Sequence, residues 1–463
     1  MFAIALLLAA VPAWAQTPAV DWGRQRAEIL RRFSDLIRID TSSPPGNETK
    51  AAVYICRALE AEGIPCRTLA LDKDRANAIA RIKGNGRKRP LLFMAHTDVV
   101  GVQREKWPVD PFGAILKDGY VWGRGTVDDK PHVAAGLMVM LLLKRLGPAL
   151  DRDVIFLADS GEEGNDSVGI NYMVKNHFAE IDAEFAINEG GGSTIEDGRV
   201  KVMRVQTSEK IPRGVRLTVR GTSGHASRPR TDNAVVRLAS AVSKLGTWQT
   251  PMRLNDTTRT YFERLATIST PEKAARYNGL SDPRRSAEIQ RYLAENEPGH
   301  YSMLRTSVVP TLLKSGFRLN VIPSEAEALV DVRALPDEDI AKFEREMKRI
   351  IGDKGVEVKS ALDNIRPGAA PSRIDTEMFR ILESEAKRMY PGITVLPTMS
   401  TGATDMAQLR AKGIPSYGIG PAATENDTTN YGAHSDVERL GEEQLYRFVE
   451  YAWNVVIAAA GAR

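Results

Sequence analysis

Three runs of near-continuous apolar residues stand out in the first half of the chain, at residues 90–95, 153–158 and 184–188. Between them, at residues 133–146 and 169–176, apolar positions recur at helical spacing. A strand apolar along its whole length is buried on both faces. Such strands alternating with helices predict an α/β fold, a mainly parallel sheet with helices on both faces. Chemically capable side chains follow each strand at once: His96 and Asp98, then Glu162 and Glu163, then Glu189. Ligands of open α/β sheets bind beyond the carboxyl ends of the strands, so these groups are expected to share one crevice.

The pattern changes near Ile211. Residues 214–220 alternate like a half-exposed strand, residues 233–245 read as a helix, and a polar segment at 250–303 interrupts. Strand patterns at 307–314 and 327–335, a helix at 338–351 and a strand at 356–361 follow. That β-α-β-β-α-β order predicts a ferredoxin-like α+β domain inserted into the first. Residues 366–371 read as the return linker. A helix at 375–389, strands at 393–396 and 415–420 and a C-terminal helix complete the α/β domain. The expected division is therefore 21–210 and 364–463 for the catalytic domain and 211–363 for the insert.

Composition narrows the function classes. A chain of 463 residues, 43% hydrophobic and 26% charged, has room for two ordinary domains. Its 63 basic and 59 acidic residues nearly cancel, and no aromatic–basic stripe is present, so nucleic acid is not an expected partner. The first fifteen residues are apolar and end in Ala13-Trp14-Ala15, a small-x-small cleavage pattern, although no Lys or Arg precedes the apolar core. They read as a secretory signal cut after Ala15, giving a periplasmic or secreted protein. The longest other apolar run, 133–143, is core-helix length, so no membrane span is expected after signal removal. Cys56 shares a helical face with Ala52, Ile55 and Leu59, which suits a buried thiol. An oxidising compartment would equally permit a disulfide with Cys66.

Five segments carry the chemistry. His96-Thr97-Asp98 pairs an imidazole with a carboxylate able to fix its tautomer, as metal-bound histidines require. In residues 122–130, Asp128 and Asp129 follow a Gly-Arg-Gly stretch just before a helix start at Pro131. Asp128 could simply cap that helix, but one carboxylate can also bridge two cations. Glu162 and Glu163, flanked by Gly161 and Gly164, can split the roles of ligand and proton acceptor. Glu189 precedes three glycines, and His434 lies between Ala433 and Ser435 with Glu438 in reach. Histidine and carboxylate without thiolate suit Zn²⁺, Mn²⁺ or Co²⁺ in a hydrolytic site. His132, His177 and His300 lack such surroundings and read as surface or core.

Taken in order, these segments resemble the superfamily of aminoacylase, carboxypeptidase G, succinyl-diaminopimelate desuccinylase and carnosinase, over nearly the whole mature chain. The resemblance leans toward the larger carboxypeptidase and acyl-amino-acid hydrolase branch. It implies two divalent metal ions, zinc in first place with manganese or cobalt as alternatives, held by His96, Asp128, Glu163, Glu189 and His434. Asp128 rather than Asp129 is the implied bridge, with a cis peptide after it. Glu162 is the implied base and Asp98 orients His96. The insert resembles a lid and dimerisation domain whose His225 stabilises the oxyanion, often across a homodimer. Asn320 and Arg333 match substrate contacts, and Gly402 and Thr404 lie in a substrate-side loop. The implied activity is hydrolysis of the amide of a small peptide or N-acyl amino acid with a free carboxylate. The chain departs from the pattern at Pro131-His132, where relatives usually have glycine, so the helix entry is expected to differ. A two-metal phosphoesterase and a non-catalytic binding protein are the competing readings. The first lacks a phosphate-cradling loop, and the second has no use for an intact set of ligands and base.

Overall fold

The computed structural model describes residues 19–362 and 365–462. The leader read over residues 1–15 lies outside them, as does the expected domain boundary at 363/364. The main sheet has ten strands. Its order is Cys66–Leu69, Asn77–Ile82, Val154–Asp159, Leu91–His96, Phe185–Asn188, Ser416–Gly418, Arg199–Glu209, Gly192–Glu196 and Ala422–Thr424, with Thr394–Ser400 also paired to Arg199–Glu209. The four strands from Val154–Asp159 to Ser416–Gly418 run parallel, whereas antiparallel pairs appear on both flanks.

The apolar runs are the centre of this sheet. Every residue of Leu91–His96, Val154–Asp159 and Phe185–Asn188 is buried. Because these strands are parallel and His96 sits opposite Asp159, the loops that follow them leave from the same edge. The helix Lys130–Leu146 covers one face, with Pro131 in its first turn and every residue to Leu143 buried. Pro131 suits a first turn, where no backbone donor is needed. A Cβ at Gly136 would come within 2.3 Å of the Phe156 ring, so the helix lies this close only because the position is glycine. Trimming Leu137 here to alanine would cost about 2–5 kcal/mol in lost burial and cavity.

The insert forms its own antiparallel sheet in the order Ser307–Ser315, Glu325–Ala334, Val215–Arg220, Val356–Ser360. Helices Ala234–Gly246 and Ile340–Ile351 pack on it through Leu238, Ala241, Phe343 and Met347. The segment at 250–303 is not a loose interruption. It folds into helices Asp256–Thr267, Pro271–Asn278, Ser286–Asn296 and Pro298–Met303. Tyr261, Phe262 and Leu293 from these helices cluster with Val202, Leu396 and Met399 of the main sheet. At the edge of the insert's sheet, Val309, Leu312 and Leu313 are exposed, and Phe317 and Leu319 beyond them more so. Cys56 and Cys66 form a disulfide, tying the helix Glu48–Glu60 to an edge strand of the main sheet.

Candidate metal centre

Two groups of ligand-type side chains meet at the shared edge of the sheet. His96, Asp128 and Glu189 form one and Asp128, Glu163 and His434 the other, the donor atoms of each lying within 4.8 Å of one another. His96 Nε2 is 3.0 Å from Asp128 Oδ1 and 3.8 Å from Glu189 Oε1. His434 Nε2 is 2.8 Å from Glu163 Oε1 and 3.3 Å from Asp128 Oδ2. One Asp128 oxygen thus faces each histidine. The Asp128–Asp129 peptide is cis.

Supporting residues set this geometry. His96 Nδ1 lies 3.1 Å from the Asp98 carbonyl and 3.5 Å from its carboxylate, which leaves Nε2 for the cluster. The Asp98 carboxylate also accepts from the backbone N–H groups of Gly161 (2.9 Å), Glu162 (3.1 Å) and Glu163 (3.0 Å). One buried carboxylate therefore holds both the His96 ring and the loop carrying the two glutamates. Gly161 adopts φ +82°, the left-handed turn that lets this loop double back. Asp129 accepts from the His96 backbone N–H (3.2 Å) and pairs with His132, whose Nε2 is 2.8 Å from the Ile419 carbonyl. His132 is thus a core residue that braces the helix entry.

The electrostatics fit a pair of cations. Although burial acts the other way, hydrogen bonds from His434 and His96 hold the Asp128 carboxyl well below its ordinary range. Burial and the neighbouring Asp128 push Glu189 well above its own. Hydrogen bonds to Asp128 and Glu163 raise His434 to about 10. His96 is also raised, its hydrogen bonds to Asp128 and Asp98 outweighing burial. Histidine Nε2 and carboxylate oxygens within bonding reach of two positions are the donor set of a two-ion hydrolytic site.

Glu162 stands apart from both triads. Burial pushes its carboxyl up to about 7, opposed chiefly by the Arg366 charge. Arg366 Nη2 donates to Glu162 Oε1 (2.7 Å) and to its carbonyl (3.2 Å). In the sequence Arg366 reads only as part of the return linker. A cation opening a Pro-Gly stretch was the one available sign. Behind it lie the buried carboxyls of Asp159 and of Asp405, the residue after Thr404 in the substrate-side loop, with Arg366 Nη1 3.8 Å from Asp405. Burial lifts Asp159 to about 7, and burial with the Asp159 charge lifts Asp405 well above its usual range.

The remaining candidates lie elsewhere. Exposed His225 is on a two-residue strand paired with Val321–Ile322, its Nδ1 bonded to Ser227 (2.8 Å). Asn320 is exposed on the same corner, its carbonyl accepting from Ala226 N–H (3.0 Å). Half-buried Arg333 donates from Nε to Asp331 (3.0 Å). Gly402 N–H donates to Ser400 Oγ (3.0 Å). The buried Thr404 hydroxyl donates to Glu209 (2.6 Å), itself paired with Arg410 (3.0 Å), so Thr404 is engaged inward. None of these five touches the metal cluster within one chain, among the described contacts. Beside Asp128 and Glu189 opens a cavity of about 480 Å³, walled by Val127, Gly191, Pro421, Ala423 and Leu440.

A family model for Peptidase family M20/M25/M40 matches residues 92–457. Human N-fatty-acyl-amino acid synthase/hydrolase PM20D1 is 30% identical over 329 residues, covering 68% of this chain, which in turn spans 64% of that protein. Mouse aminoacylase-1 is 26% identical over 433 residues, 92% of this chain and 94% of the mouse protein. The crystal structure of an M20 family metallo-carboxypeptidase, Sso-CP2 from Sulfolobus solfataricus, shares the fold. Its TM-score is 0.71 at 21% identity, over 93% of this chain and 98% of that one.

Proposed function

The chain belongs to peptidase family M20/M25/M40, and on that premise we propose that it hydrolyses an amide bond of a small peptide or N-acyl amino acid with a free carboxylate, using two divalent ions. The observation that carries this is Asp128 shared between two ligand triads, with Glu162 beside them and bound to neither. Two ions in those positions would supply charge stabilisation and an acidified water, the chemistry of co-catalytic sites. Zinc is the preferred identity, since the donors are imidazole and carboxylate.

The chain's own residues do the rest. Glu162, ionised, takes a proton from the attacking water and returns it to the leaving nitrogen. Arg366 favours the ionised state of Glu162, and Asp98 keeps the base beside the ligand Glu163. The cavity beside Asp128 and Glu189 has room for the acyl or amino-terminal part of a substrate. A fatty-acyl-amino acid hydrolase and an aminoacylase among the relatives support an acyl amino acid.

Two further parts belong to this reading. A second copy covering the exposed edge around Val309, Leu313 and Phe317 would bury apolar surface and bring its own His225 and Asn320 to the interface. His225 would then serve as oxyanion donor, and Arg333 would hold the substrate carboxylate. Light scattering checks the dimer. Export agrees with the Cys56–Cys66 disulfide, which persists in oxidising compartments, and cell fractionation checks it.

The decisive experiment sets Glu162→Gln beside the wild type on N-acyl amino acids, dipeptides and phosphate esters. The variant is expected to keep two ions and lose about 10²–10⁴ in turnover. Full activity in the variant removes Glu162 as base. A wild type that prefers phosphate esters removes the amidase reading.

A further inference from the structure

His434 is an unusual ligand in its surroundings. Its side chain is 52% exposed, it adopts φ +66° without being glycine, and among the described residues nothing hydrogen-bonds its Nδ1. Metal-bound imidazoles are ordinarily held through that second nitrogen. Something else must hold this one.

The backbone of His434 is reached from behind by Arg124, whose Nη2 donates to the His434 carbonyl at 3.4 Å. Arg124 is 2% exposed, and its Nη1 donates to the fully buried carboxylate of Glu438 at 2.6 Å. Glu438 also accepts from the backbone N–H groups of Gly125 (3.2 Å), Val127 (2.7 Å) and Asp128 (3.2 Å). Its own carbonyl accepts from Gly123 N–H at 3.1 Å. The next residue is pinned too: Arg439 pairs with Asp427 at 2.9 Å and lies over the Tyr431 ring at 3.6 Å. One buried ion pair therefore joins the strand-like return after His434 to the loop that carries Asp128.

We infer that Arg124 and Glu438 are positioning residues for the second metal half-site, setting Asp128 and His434 against each other so that the Glu163/His434 position binds its ion. The His96/Glu189 position has additional anchors, one of which, Asp98, also holds the Glu163 backbone. Asp98 holds the His96 ring, Asp129 holds the His96 backbone, and Glu189 follows a central strand. Because Asp128 is shared by both positions, loss of the buried pair should weaken both ions, the Glu163/His434 ion far more than the other. This rests on the two-ion reading above.

The test is calorimetric titration of Zn²⁺ into metal-stripped wild type, Glu438→Gln, Arg124→Lys and His434→Ala, with thermal unfolding of each metal-free protein. In Glu438→Gln the ion that His434→Ala leaves in place is expected to bind within about threefold of wild type. The ion that His434→Ala removes should lose about 10–100-fold, as for other outer-shell partners of ligands. Arg124→Lys, which keeps the charge but not the reach to the His434 carbonyl, should shift the same ion less. Excess Zn²⁺ should restore turnover in both. Equal weakening of both ions, or no weakening in either variant, overturns the inference. If Glu438→Gln does not fold, Arg124→Lys decides alone. Wild type binding one ion, with His434→Ala indistinguishable from it, would instead sink the two-ion reading, and the inference with it.

Discussion

His96 and His434 face each other across Asp128, yet the chain supports them by different means. His96 is the last residue of a central strand, 2% exposed, with ring and backbone both hydrogen-bonded to buried aspartates. His434 lies in a loop, half in solvent, and is placed through its backbone by a distant ion pair. One half of the cluster is part of the core, whereas the other is brought to it. A ligand built into the core shares its stability with the fold, and a ligand on a loop can change without it.

The largest expected effect tests that difference directly. Metal-free His96→Ala removes a buried imidazole from its buried contact with Asp98 and its part-buried pair with Asp128, a loss of about 3–5 kcal/mol. Metal-free His434→Ala should lose less than about 1 kcal/mol, because its ring pairs in partial solvent. Denaturant unfolding of both stripped variants measures this. Equal losses would dissolve the comparison. Metal removal comes next. For each site at a hundredfold excess of ion over its dissociation constant, chelation should lower stability by about 2.7 kcal/mol. Graded chelator should empty the His434 half first, seen as loss of one ion per chain before the second transition. Simultaneous release would mean that the two halves are a single unit.

The smallest effect concerns the base between the halves. In the metal-free protein, burial raises Glu162 and the Arg366 cation opposes it. Removing that cation in Arg366→Met disfavours the ionised carboxylate, so the acid limb of kcat/KM should move to higher pH. A shift of about one pH unit, near 1.4 kcal/mol, is the expected size. The sign follows from the chemistry, since the base works ionised and activity is lost as pH falls through its pKa. An unmoved acid limb would show that the bound ions, not Arg366, set that pKa.

How much of this was visible beforehand depended on the range of the interactions involved. The strands before His96, Glu162 and Glu189 were legible because burial on both faces demands an unbroken apolar run, a local property. Strand Arg199–Glu209 has no such run. Its early positions are partly exposed and polar, and its place is given by pairing with three other strands. The helices at 250–303 are illegible in the sequence for a similar reason. Their apolar residues are sparse and meet a sheet whose strands come from both sides of the insert.

The sequence by itself determined which side chains stand at the carboxyl ends of the central strands, and hence the kind of chemistry the crevice holds. Resemblance then chose Asp128 over Asp129 as bridge and Glu162 over Glu163 as base, and in the fold Asp128 and Glu163 stand in the donor cluster while Glu162 pairs with Arg366 outside it. Tertiary structure alone decided what holds those donors. Arg366 reaches Glu162 across 204 residues and Arg124 reaches Glu438 across 314. Ion pairs of that span leave no periodicity or spacing in the chain. They exist only because the folded sheet brings its two distant halves to one edge.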